Sequence, residues 1–305
     1  MWTVRGLESY PPDARPCALA LGVFDGVHLG HRAILAVAVA RAREARLPAV
    51  ACTFDPHPLE ILHPERAPLP VTTLDERLEL FAESGVDGAV VLSFTPALAR
   101  VEPEAFVKDV LVDRLQAREV VVGFNHRFGR GARGDARLLG ELGARLGLQA
   151  HVVPPLTVDG ITVSSTEVRA ALQRGAVDRA ARLLGRPYAV SGTVIAGAGR
   201  GRTLGFPTAN LTTDRPPLVA TGVYACRAAV PGGDHPAVVN VGVRPTFGGE
   251  ALAVEAHLLD FKDDLYGVRI RLTFVARLRD ERRFPSVEAL AAQIRADADA
   301  ARTLL

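Results

Sequence analysis

A change of texture near residue 185 constrains this 305-residue chain more than any single motif does. Before it, short apolar runs alternate with helical patterns; after it, almost every apolar run reads as a strand. The runs of the first part are CALALGVF, PAVACTF, GAVVLSF, REVVVGF and QAHVVP. Between them stand four helical patterns. HRAILAVAVARAREAR turns Ile34, Val37 and Ala38 inward, and DARLLGELGARLG has the same period. TLDERLELFAESG carries Thr73 and Glu76 at capping-box spacing, with Gly85 as its stop. PEAFVKDVLVDRL opens on Pro103, a favoured first helical position. Strands this apolar, separated by helices, predict a parallel sheet covered on both faces. Ligands of such sheets bind beyond the carboxyl ends of the strands. GVFDGVHLGH, TFDPHP and VVGFNHRFG all follow strands, so they are expected on one rim.

The second part reads YAVSGTVIAG, TGVYACRAAV, PAVVNVGV, LAVEAHLLDF and VRIRLTFVARLR, with Gly and Pro turns between. In the last run Val268, Ile270, Leu272, Phe274 and Ala276 alternate with mostly polar residues, the period of a half-buried strand. A final helix is expected behind a Ser286 cap, with Val287, Leu290, Ala291, Ile294 and Ala298 as its apolar stripe. The fold class that follows is an α/β domain plus an all-β domain. The first is a Rossmann-like parallel sheet over residues 1–185, the second an antiparallel barrel with a terminal helix over 186–305.

Composition narrows the chemistry. A formal net charge of +2, with arginines spread out, gives no argument for a nucleic-acid partner. No stretch approaches the roughly 20 apolar residues of a membrane span. Cys17, Cys52 and Cys226 lie far apart without C-x-x-C spacing, which favours neither a disulfide framework nor a thiolate metal site. The N-terminus MWTVRGLESYPPDARP lacks the apolar core of a signal peptide, so a cytoplasmic protein is expected. Whether it forms a homo-oligomer stays open.

ALGVFDGVHLGHRAIL places His28 and His31 at the mouth of the first helix, among Gly22, Gly26 and Gly30. The first N–H groups of a helix lack intrahelical partners and carry partial positive charge, so a phosphate binds there and glycines let it approach. Imidazoles at i and i+3 can face the same anion. Taken alone, H-x-G-H is as well explained by two capping histidines beside a glycine turn. Two further segments weigh against that. SSTEVR sets Ser164, Ser165 and Thr166 before a helix, with Arg169 one turn inside; Ser164 and Glu167 have capping-box spacing, but a cap explains one hydroxyl. GFNHRFGRGARGD is a Gly/Arg loop after a strand, readable as a phosphate contact or as a solvated basic loop.

In the second part GAGRGRT fails as a Walker A loop, which needs glycine where Ala196 stands and lysine where Arg202 stands. GFPTAN offers Thr208 and Asn210, alternate residues whose oxygens suit Mg²⁺ carried on phosphates; taken alone, an ordinary proline turn explains them better. Glu255 in LAVEAHLLDF projects from the face opposite Val254, Ala256 and Leu258, as a general base would; taken alone, a solvent-facing strand glutamate explains it better.

GVFDGVHLGH, TFDPHP, GFNHRFGRGARGD and SSTEVR, in this order, resemble the adenylyltransferase module of the bacterial bifunctional riboflavin kinase/FAD synthetases. SGTVIAGAGRGRTLGFPTANL, GVYACRA, VVNVGVRPTFG, VEAHLLDF and DLYG resemble the riboflavin kinase domain of the same family. The resemblance implies a six-stranded barrel and two ATP-dependent steps, riboflavin to FMN and then FMN to FAD with release of pyrophosphate. It implies that Gly22, Phe24, Asp25, Gly26, His28, His31, Asn125, Arg127, Ser164, Ser165, Thr166 and Arg169 bind ATP or flavin in the first domain. His28 and His31 would stabilise charge on the phosphates. In the second, Gly197, Gly199 and Gly201 would cover the nucleotide, Thr208 and Asn210 would hold Mg²⁺–ATP, and Glu255 would be the base. One departure is His126, where the family often has an aromatic residue before Arg-Phe-Gly. The rival readings are a kinase whose first domain only binds, a flavin-sensing regulator without turnover, and an H-x-G-H adenylyltransferase with another acceptor. The small-molecule partners implied are ATP, riboflavin and FMN.

Overall fold

The five apolar runs of the first half form a parallel sheet, and a sixth strand joins them. The computed structural model describes residues 1–11, 13–197, 201, 205–246 and 249–305. The chain divides into two units, Met1–Ser165 and Thr166–Leu305.

In the first unit the sheet consists of β1 (Trp2–Arg5), β2 (Cys17–Leu21), β3 (Ala49–Asp55), β4 (Gly88–Ser93), β5 (Ala117–Gly123) and, after the short pair β6 (Arg127–Phe128) and β7 (Gly134–Asp135), β8 (Gln149–Val153). Their order is β1-β4-β3-β2-β5-β8 and every pairing is parallel. A two-stranded ribbon, β9 (Thr157–Val158) and β10 (Ile161–Thr162), follows. All five residues of β2 are buried, as a sheet covered on both faces requires. Strand β1 has no such signal, because it is a four-residue edge strand whose side chains stay largely exposed. Its Trp2 ring lies over Gly88, where an added Cβ would meet the indole at 2.0 Å.

The helices of this unit are α1 (Leu29–Ala45), α2 (Pro58–Leu62), α3 (Leu74–Glu83), α4 (Pro96–Ala99), α5 (Pro103–Ala105) and α6 (Ala136–Leu146). In the expected capping box Thr73 Oγ1 accepts from Glu76 N at 3.1 Å, and Glu76 Oε2 accepts from Thr73 N at 2.9 Å. The pattern after Pro103 predicts an ordinary helix; instead α5 continues as a π-helix over Phe106–Arg114. Phe106, Val107, Val110 and Leu111 form its buried side. His126, between β5 and β6, stacks on Phe128 with ring centroids 5.9 Å apart, and its Nε2 is buried without a hydrogen-bond partner. Burial lowers its pKa from 6.5 to about 4.

The second unit opens with α7 (Ser165–Gln173) and α8 (Val177–Leu184); α8 packs on the barrel strands β11 (Tyr188–Ile195) and β16 (Arg269–Arg279). With β12 (Ala209–Thr213), β13 (Gly222–Val230), β14 (Gly233–Thr246) and β15 (Gly249–Leu258) these strands close a barrel in the order β11-β12-β15-β14-β13-β16. Val254, Ala256 and Leu258 are buried as expected. Strand β12 runs through the end of GFPTAN, which the sequence reads as a turn.

Helix α9 (Val287–Leu304) starts on the Ser286 cap and lays Ala298 and Ala301 against Val223, Ala225 and Val238 on the outside of the barrel. Val287 departs from the expected stripe: it is 57% exposed, because full burial on this helix begins only at Asp297. Asp297, 4% exposed, takes the fork of Arg279 at 3.1, 3.0 and 2.8 Å. The three cysteines are free and buried, and burial pushes their thiols up, Cys17 to about 12. None is a nucleophile at neutral pH.

Removing one partner of a buried ion pair strands the other charge, so Asp297→Ala should cost about 3–5 kcal/mol in denaturant unfolding, while Asp260→Ala at the exposed Arg302 pair should cost under about 1 kcal/mol. His126 supplies a pH dependence. The unfolded chain binds a proton between pH 6.5 and about 4 that the folded chain refuses, so stability falls as pH drops through that window. Unfolding midpoints of His126→Phe against pH should lack that part of the acid loss.

Candidate functional site

Strands β2 and β5 are neighbours, but the chain leaves them in opposite directions across the sheet: β2 leads to β3 and β5 to β8. This makes a crevice at their carboxyl ends, where such sheets bind ligands. The turn after β2 fills it. Phe24, Gly26 and Val27 all have left-handed backbone, with φ of 54°, 82° and 38°. Side chains hold that costly conformation from below. The Asp25 carboxylate, 2% exposed, accepts from Val71 N at 2.9 Å and Thr72 N at 3.1 Å. Thr72 Oγ1 accepts from Gly26 N at 3.0 Å, and Thr53 Oγ1 donates to Val23 O at 2.8 Å. Arg77, 5% exposed, donates to Thr53 Oγ1 at 3.0 Å and Phe54 O at 3.2 Å. Burial lowers Arg77, and the Asp25 charge counters this most among its carboxylate neighbours. Asp25 and Phe24 thus point inward, and the turn is buried from Phe24 to His28. Thr53, Thr72 and Arg77 belong to this scaffold; Thr53 opens the TFDPHP segment, and none of the three was singled out as a site residue.

His28 is the N-cap of α1: its Nδ1 accepts from His31 N at 3.2 Å. An accepting Nδ1 places the proton of the neutral ring on Nε2, a donor. The His28 and His31 rings stack at 3.6 Å and 16°. The Phe24 ring stands edge-on to His31 at 5.2 Å, buttressed by Phe81 at 5.4 Å. Gly30 lies close under the His28 ring, where a Cβ would stand 3.2 Å from it and press on the stacked pair. Ser165 Oγ donates to Asp25 O at 2.9 Å, which brings the serine motif onto the same turn. Ser164 precedes α7 directly; Thr166 and Arg169 lie on α7 in the second unit. After β5, Asn125 and Arg127 are exposed at the rim, and Arg127 stands 3.8 Å from Asp135, the cap of α6.

The second constellation lies on the outer face of the barrel. Asn210 of β12 and Glu255 of β15 are direct cross-strand partners, which puts their side chains on one face. Two glycines shape the approach. A Cβ on Gly197 would meet Asn210 Nδ2 at 2.0 Å, and one on Gly201 would meet Phe206 O at 2.3 Å and Thr208 Oγ1 at 3.2 Å. The GFPTAN turn is fastened to β15, where His257 Nδ1 lies 2.8 Å from Pro207 O and the His257 ring stands edge-on to Phe206 at 5.6 Å. Gly199 lies outside the described residues. Among the described residues no three His, Cys, Asp or Glu gather as a metal cage.

Comparison with known proteins also divides the chain in two. Residues 10–167 match the FAD synthetase family and residues 184–305 the riboflavin kinase family. The bifunctional riboflavin kinase/FMN adenylyltransferase of Pseudomonas fluorescens is 41% identical over all 305 residues, covering 98% of that protein. Its counterpart from Escherichia coli K12 is 40% identical, covering 98% of this chain and 95% of the other. A crystal structure from Streptococcus pneumoniae, described as a macrolide-efflux protein, is 31% identical and superposes with a TM-score of 0.91 over 99% of both chains. No helix among the described residues is long and apolar enough to cross a membrane. Full-length identity to these relatives, with both family regions in order, places this chain in the family of bifunctional riboflavin kinase/FMN adenylyltransferases.

Proposed function

We propose that this chain converts riboflavin to FMN on the barrel, residues 186–305, and FMN to FAD in the N-terminal region, residues 1–185, spending one ATP at each step. The observation that supports the second reaction most is the geometry of His28. Capping α1 through Nδ1, it offers Nε2–H at a helix mouth, beside His31 and the backbone of a glycine turn. There the phosphate oxygen of FMN attacks the α-phosphorus of ATP, the bond to the β-phosphate oxygen breaks, and pyrophosphate leaves. The imidazoles and helix N–H groups neutralise its charge, so chemistry proceeds by positioning and electrostatics. Ser164 and Ser165 add hydroxyls to that phosphate site, and the motif runs on into Thr166 and Arg169. Asn125 and Arg127 take the flavin side, and Gly22 and Gly26 let the backbone approach.

On the barrel Glu255 takes the proton of the riboflavin 5′-hydroxyl as that oxygen attacks the γ-phosphorus and ADP leaves. Thr208 and Asn210 carry hard, neutral oxygens, a donor set that fits Mg²⁺ bound chiefly through ATP. Bound there, the cation would neutralise phosphate charge. Gly197 and Gly201 leave room for the Asn210 and Thr208 side chains beside it. Three buried free thiols suit a reducing cytoplasm.

The two halves can be tested separately by chromatography of flavins. His28→Ala/His31→Ala should lower FAD formation from supplied FMN at least about 100-fold, with FMN formation from riboflavin unchanged. Glu255→Gln should do the reverse, lowering FMN formation by about 100-fold or more and sparing FAD formation from supplied FMN. Loss of both products in either variant, or of neither, contradicts the assignment.

A further inference from the structure

Glu255 belongs to a longer row. Asn240 of β14 is its direct partner on the side away from Asn210, so the three side chains leave one face, with neighbouring Cβ atoms about 4.5–5.5 Å apart. The Asn240 amide is not loose: Nδ2 donates to Glu281 Oε1 at 3.1 Å. Glu281 sits over the bare backbone of Gly242, two residues along β14 on the same face. A Cβ on Gly242 would meet Glu281 Oε1 at 2.3 Å. The segment that carries Glu281 is fastened to α9 on both flanks. Arg279 grips Asp297, and Arg282 bonds Gln293, which itself donates to Asp297 at 2.7 Å.

Among the described residues Glu281 makes no ion pair with a cation; its partner is a neutral amide. That choice has a geometric consequence. An unpinned asparagine presents either its oxygen or its nitrogen to a neighbour. With one Nδ2–H committed to Glu281, the amide is held in one orientation and keeps its second N–H for a further acceptor. A neighbouring carboxylate accepts from an N–H and is repelled by a carbonyl.

We propose that Asn240 and Glu281 are positioning residues for riboflavin phosphorylation. Glu281 locks the Asn240 amide, and the free Nδ2–H holds the Glu255 carboxylate in the rotamer that reaches the substrate hydroxyl. The proposal rests on Glu255 as the base. It also gives α9 a part in the chemistry, since the Arg279–Asp297 pair fixes the strap that presents Glu281.

The test uses the full chain and the kcat and KM of FMN formation. Asn240→Ala and Glu281→Ala should each lower kcat about tenfold, as a slightly displaced base would, with KM for ATP unchanged. Two residues acting through one bond do not add, so the double variant should be no slower than Asn240→Ala. Glu281→Gln keeps an acceptor oxygen and should recover most of what Glu281→Ala loses. Full kcat in both alanine variants, multiplying effects in the double variant, or a Glu281→Gln as slow as Glu281→Ala would overturn the proposal. Glu255→Gln run alongside separates the two readings. If it retains its rate, the base assignment fails; if it is slow while the alanine variants are fast, only the positioning role fails. Should Asn240→Ala not fold, the exposed Glu281 variants decide alone.

Discussion

The N-terminal site depends on one buried carboxylate satisfied by backbone. Asp25 accepts from two successive N–H groups, Val71 and Thr72, and so ties the turn after β2 to the loop before α3. A buried charge is tolerable only when it is paired or hydrogen-bonded, and here that requirement fixes a backbone with three left-handed residues in a row of four. The turn then aims α1 at the crevice, sets His28 as its cap, and stacks His31 upon it. Thr53 and Arg77 brace the turn from β3 and α3. The stacked histidines thus stand on a polar network buried beneath them.

The barrel solves a different problem. Its interior is apolar, and the polar side chains of Asn210, Asn240 and Glu255 stand on its outer face, paired across β12, β14 and β15. An outer face is solvated and its side chains are free to rotate unless something covers or fastens them. Glycines at 197, 201 and 242 let neighbouring side chains lie close to backbone, and α9 anchors the strap that follows β16. The two candidate sites are built by unlike means: a helix mouth over a parallel sheet in one, a fastened turn on a barrel wall in the other.

Much of this was legible in the sequence because periodicity reports burial directly. Unbroken apolar runs gave the central parallel strands, and alternation gave β16 and the outward direction of Glu255. The Thr73/Glu76 and Ser286 caps stand where their spacing put them. What escaped were features decided by long-range contact. Strand β1 is too short and exposed to carry a pattern, and pairs with β4 more than 80 residues away in sequence. Strand β12 hides behind Pro207 and reads as turn. Asp25 and Phe24 look like ligand contacts in the motif, yet their side chains face inward; only the partners Val71, Thr72 and Phe81 reveal it. A single hydroxyl in an apolar run, Thr53, and an arginine on a helix that buries it, Arg77, were the available hints.

The central claim is that one polypeptide opens two ATP sites at which different phosphorus atoms are attacked. Isotope transfer tests it most directly. With riboflavin as substrate, label from γ-³²P ATP should appear in FMN, and label from α-³²P ATP should not. With unlabelled FMN as substrate, label from α-³²P ATP should appear in FAD and γ-label should leave entirely as pyrophosphate. Alpha label in FMN, or γ-label retained in FAD formed from unlabelled FMN, would contradict the account.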